Sequence, residues 1–124
     1  MSALTATVEN FHSLIAADEQ EMIAYVQHHA ALLNDGVPPS FLRARLDELE
    51  GIHDCRNLLV REAIVGTGDS AISVEQLRRA TLAAKSMERA FALAGRRHHA
   101  DGAERVRVVC YKLLEAALSD ADDA

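Results

Sequence analysis

The sequence predicts an all-α protein, a four-helix antiparallel bundle with a long first helix that dimerises, and three observations carry that expectation. Alanine, leucine, glutamate and arginine are abundant among the 124 residues, and all are good helix formers. Six glycines and two prolines are too few for the turns of a many-stranded β fold. Three clusters of turn residues, Asn34 to Pro39, Gly66 to Ser70 and Gly95 to Gly102, cut the chain into four segments with helical periodicity. The expected helices lie near residues 5–34, 40–65, 73–95 and 102–119, within a single helical domain spanning 1–124.

Each segment has its own signals. In the first, Leu4, Val8, Phe11, Leu14, Ile15, Met22, Tyr25, Val26, Leu32 and Leu33 fall in one arc. Their alternating spacing of three and four is that of a coiled-coil seam, interrupted by Asp18 and His29. The second helix is expected to start at Ser40, after the proline pair, and to bury Leu42, Leu46, Leu49, Ile52, Leu59, Val60, Ala63 and Ile64. His53 and Arg56 lie within that arc, whereas Cys55 faces away from it. Ser73 with Gln76 has the form of a capping box at the start of the third helix, and Gly95 suits a left-handed stop at its end. Leu77, Ala84, Met87, Phe91 and Ala94 are its core positions. The fourth offers Val106, Val109, Cys110, Leu113 and Ala117; the β-prone stretch from Val106 to Val109 is read as helix because Leu113 to Leu118 favours one.

A formal net charge of −6 argues against non-specific nucleic-acid binding, which draws most of its affinity from phosphate neutralisation. The local basic cluster of Arg96, Arg97, His98, His99, Arg105 and Arg107 reads as a helix C-terminus followed by a solvated turn. No apolar run reaches the ~20 residues of a membrane span. Two cysteines without CxxC spacing, and no visible signal peptide, lead to the expectation of a reducing cytoplasm. No nucleophile elbow, P-loop or Rossmann glycine run is present, so no enzymatic activity and no cofactor are expected.

Two patterns raise the question of a metal. Glu-x-x-His occurs at Glu9/His12 and at Glu50/His53, and residues at i and i+3 share a helix face. Glu9 points away from its helix's apolar arc. Folding the first two helices about Gly36 and Val37 brings His53 level with Asp18 and Glu21. This resembles the ferritin-like pattern of one carboxylate on the first helix and Glu-x-x-His on the second, and the resemblance implies half a metal site at Asp18 or Glu21 with Glu50 and His53. The other half is missing, so His53 is expected to bond a carboxylate without metal. His98 followed by Gly102 is similar to the motif of histidine phosphotransfer domains, but Asp101 stands where they carry a lysine and would repel a phosphoryl group.

The functional expectation is therefore a small acidic helical regulator that sequesters a protein partner stoichiometrically. Antiactivators, anti-sigma factors and chaperones are of this size and class, and the partner would be a transcription regulator or a secreted client. A first helix of ~45 Å is longer than its neighbours can cover, so its apolar seam at Val8, Phe11, Ile15, Met22 and Tyr25 is the expected partner-binding and homodimer surface. The alternatives are the ferritin-like metal protein and a structural subunit of a larger assembly.

Overall fold

In the computed structural model, residue 16, residues 20–62 and residues 72–123 are described, with side chains to residue 119. Most of the described residues are helical, with no strand among them. Residues 20–27 form helical turns that lead into α1 (His29–Asn34), and three longer helices follow: α2 (Pro39–Arg61), α3 (Val74–Leu93) and α4 (Arg97–Asp123). No helix among the described residues is long and apolar enough to cross a membrane.

The first segment is not one straight rod. His28 leaves helical geometry at φ −110° and ψ 18°, although amide bonds from His28 to Ala24 and from Leu32 to His28 carry the ladder across the kink. Residues 5–15 and 17–19 of the expected first helix, with Val8, Phe11, Ile15 and Asp18, lie outside the described residues, as do Ala63 and Ile64 of the expected second. Gly36 ends α1 in the left-handed region at φ 91°. Its N–H and that of Val37 donate to Leu33 and Leu32, which satisfies two carbonyls that a helix end leaves open.

Helix α2 starts one residue earlier than the sequence suggests. Pro39 is its first residue, where the missing N–H is no loss and the fixed φ suits a helix. At the start of α3 the capping box is present in both halves. Ser73 Oγ accepts from the Gln76 N–H at 3.0 Å, and Gln76 Oε1 accepts from the Ser73 N–H at 2.9 Å. Gly95, at φ 76°, closes α3 as the sequence indicates, with the Gly95 and Arg96 amides donating to Ala92 and Phe91.

The largest departure from expectation comes next. The third break is not a loop from Gly95 to Gly102: α4 begins at Arg97, and Gly102 lies inside it. The basic cluster is therefore not a solvated turn but the first turns of a helix whose inner face is buried. The tight connection through Gly95 and Arg96 turns α4 back antiparallel to α3, with Glu88 opposite Arg107 and Phe91 opposite His99.

Helix α4 is the centre of the core. It packs along both α2 and α3, which themselves barely touch. Ala103, Val106, Val109, Cys110, Leu113, Leu114 and Ala117 line it, meeting Leu49, Ile52 and Leu59 of α2 and Leu77, Ala80 and Ala84 of α3. The crossing of α2 and α4 is made by two buried glycines. A Cβ on Gly51 would fall 2.3 Å from the His99 carbonyl oxygen, and one on Gly102 would fall 2.1 Å from that of Glu48. Only a residue without a side chain permits this approach of backbone to backbone.

The close crossing also explains Cys55, which the sequence places off the apolar arc and which is fully buried. It lies one turn beyond Gly51, on the flank drawn against α4. Burial pushes the thiols of Cys55 and Cys110 up to about 12, with Cys110 and the carboxylates of Asp54 and Glu88 adding to the effect at Cys55. Neither is a ready nucleophile.

Alanine at either glycine tests the crossing. Its helix propensity would add about 1 kcal/mol of stability in an open helix. Here, Gly51→Ala and Gly102→Ala are each expected to lower stability by at least about 1–3 kcal/mol through overpacking, read from the midpoint of urea unfolding. A stabilising substitution at Gly102 would contradict the geometry.

Candidate functional site

Among the described residues, His99 is the one charged or polar side chain in the core, at 1% exposure. Its position follows from the register of α4. His99, Ala103, Val106, Cys110, Leu113 and Ala117 alternate by four and three and share the inner face. On α2, Asp47 and Asp54 lie one turn before and one turn after Gly51. The glycine crossing thus places the imidazole between two aspartates.

The ring is engaged on every side. Nδ1 bonds Asp47 Oδ1, and Nε2 lies 3.3 Å from Asp54 Oδ2. Arg96 Nη2 lies 2.8 Å from Nε2 and 3.1 Å from Nδ1, and its guanidinium sits 5.4 Å from the centroid of Phe91. The Phe91 ring meets the imidazole edge-on, with centroids 5.0 Å apart and planes at 68°. A neutral ring with its hydrogen on Nδ1 donates to Asp47 and accepts from Arg96. With the hydrogen on Nε2, the same ring aims a donor at Asp54. Buried polar groups are costly unless bonded, and here both nitrogens have partners.

Beside this cluster an open recess of about 550 Å³ is lined by Ser40, Arg43, Ala44, Leu46, Asp47, Glu50 and His98. Asp47, Glu50 and His99 offer ligand atoms that lie within 4.8 Å of one another. Glu50 therefore does belong to a potential metal set, but with a histidine from another helix. His53, its i+3 partner, is half-buried and directs Nε2 to Asn57 Nδ2 at 3.0 Å.

The expected meeting of Glu21 with His53 does not occur. Arg45 takes Glu21 instead, with Nε at 3.0 Å and Nη2 at 2.6 Å from its two oxygens, and bonds Glu48 at 2.8 Å. Arginine presents a planar fork that matches a carboxylate, and α2 supplies it at the level of Glu21. Hydrogen bonding from Arg45, opposed by burial, holds the Glu21 carboxyl below the usual carboxylate range. This fork ties residues 20–27 to α2. The rest of the basic cluster is similarly dispersed: Arg107 bonds Glu88 at 2.6 Å, and His98 lies 4.0 Å from Asp101.

Of the expected partner-binding residues, Met22 and Tyr25 are half-buried and pack against the chain's own core. On the same helical turns Ile23 is 43% and Val26 64% exposed. Sequence reasoning missed His99 as a buried residue, although the unbroken four-three series from 99 to 117 contained the signal.

No family model matches the chain, and neither a curated protein nor a solved structure matches it.

Two expectations follow. Truncating the buried ring by His99→Ala lowers stability by about 2–4 kcal/mol, whereas Glu50→Ala at the exposed rim changes it by no more than about 0.5 kcal/mol; urea unfolding compares them. The second concerns pH. Because Arg45 depresses the folded-state value of Glu21, the stabilisation is complete above the unfolded carboxylate range and is lost as pH falls through the lower folded value. Residue-resolved NMR should show residues 20–27 losing helix on acidification below about pH 4, and Arg45→Ala should show the same loss at neutral pH.

Proposed function

We propose that the protein is a small acidic helical regulator that binds a protein partner stoichiometrically, and that its first helix is the binding and self-associating element. The observation that carries this reading is the placement of apolar side chains on two sides of residues 20–27. Met22 and Tyr25 face the core, while Ile23 and Val26, three residues apart, face solvent. A helix apolar on both sides belongs between two packed surfaces, and the chain itself supplies one. The weak anchoring of α1, which has no buried residue, supports the same assignment.

In this reading a second copy covers the outer face, the two first helices complete four-helix packing, and the paired surface presents the seam at Val8, Phe11 and Ile15 to a client. Two reduced cysteines suit a reducing cytoplasm. The net charge of −6 favours a partner with a basic surface.

Sedimentation tests it. The unmodified protein is expected to be dimeric at tens of micromolar, since burying each large aliphatic side chain contributes roughly 1.5–3 kcal/mol. The Ile23→Asp, Val26→Asp double variant is expected to be a folded monomer, as neither side chain belongs to the core. A monomeric unmodified protein at that concentration would remove self-association from the proposal, and unchanged dimerisation in the double variant would move it to another face.

A further inference from the structure

We propose that Asp47, Glu50 and His99 form a site for one divalent first-row transition cation. The assignment is independent of the partner-binding reading. It rests on the chemistry of a mixed nitrogen and oxygen donor set drawn from two helices, on the carboxylate behind the imidazole, and on the recess that opens onto it.

Imidazole nitrogen and carboxylate oxygen together suit borderline divalent ions, of which zinc takes both readily. The three ligand atoms lie within 4.8 Å of one another. A tetrahedral zinc holding them at about 2.0–2.2 Å requires separations of about 3.4 Å. Glu50, the exposed member, is the arm able to close in, and Asp47, bonded directly to Nδ1, swings back by about an ångström so that the ion replaces that hydrogen bond. His99 and the α2 backbone are held by the Gly51 and Gly102 crossing and do not need to move. Three protein ligands leave the fourth position to water from the recess, which Asp47 and Glu50 line together with His98.

The second support lies behind the ring. An imidazole that ligates through Nδ1 keeps its hydrogen on Nε2, and Asp54 Oδ2 is 3.3 Å from that nitrogen. Metal-bound histidines regularly donate their other N–H to a carboxylate, which fixes the tautomer and raises ligand basicity. Asp54 is thus a positioning residue. Arg96 opposes the ion. Its Nη2 lies 2.8 Å from Nε2 and 3.1 Å from Nδ1, and it adds positive charge 3.9 Å from Asp47. At half exposure it can swing outward, so the ion and the guanidinium compete for the same cluster.

The test is zinc competition against a chromophoric chelator on the full chain, with ion stoichiometry and thermal melting read in parallel. One zinc per chain and a melting temperature raised by several degrees are expected. Glu50→Ala, which leaves the core untouched, should abolish both effects. Asp54→Asn should weaken zinc about 10–100-fold, and Arg96→Gln should tighten it. Zinc binding that is absent in the unmodified chain, or unchanged in Glu50→Ala, overturns the proposal. Binding equally strong in Arg96→Gln and the unmodified chain overturns the competition with Arg96.

Discussion

The contact between Gly51 and Gly102 sets the distance between α2 and α4, and most of the structure depends on that distance. Each glycine faces a carbonyl of the opposite helix, so the two backbones touch where side chains would hold them apart. This close approach fixes where His99 meets α2, one turn before Gly102 and between the two aspartates that flank Gly51. A wider crossing would leave the imidazole in the core without its carboxylates, a costly arrangement. Packing and polar pairing are therefore one constraint here. Neither the glycines nor the charge cluster can change without the other.

The attachment of the first helix is of a different kind. The core of α2, α3 and α4 is held by interdigitated aliphatic side chains and small residues. Residues 20–27 rest on it through Met22, Tyr25 and a partly exposed fork between Glu21 and Arg45. Exposed ion pairs are individually weak and screened by salt. The molecule thus combines a tightly registered core with an element whose hold is modest, a distribution suited to elements that engage other molecules.

What was legible in the sequence follows the same division. Helix content was readable from composition, and local stops and starts from their own chemistry: Ser73 with Gln76, Gly36 and Gly95 act through atoms within a few residues. The start of α4 was not. Gly102 is a poor helix former whose cost is offset only by contact with Glu48 and Ile52, far away in the sequence. Reading it as a turn was sound local reasoning overridden by tertiary packing. The candidate metal set shows the limit again. The i, i+3 rule led to Glu50, but the histidine that joins it comes from α4 at a register no spacing within α2 can encode. Arg45 likewise captured Glu21, a pairing across a chain reversal.

The tight turn through Gly95 and Arg96 has a consequence for assembly. Joining α3 to α4 closes a very short loop, whereas bringing α2 onto α4 spans the whole of α3 and the connection before it. Loop-closure entropy rises with the length of chain enclosed, so the α3–α4 hairpin is the inexpensive step and the docking of α2 the demanding one. That docking happens at the narrowest place in the molecule, where two glycines must find each other before the imidazole is satisfied. The hairpin alone would expose the inner face of α4 with His99 lacking both aspartates. Register, burial and polar satisfaction at this crossing are therefore reached together.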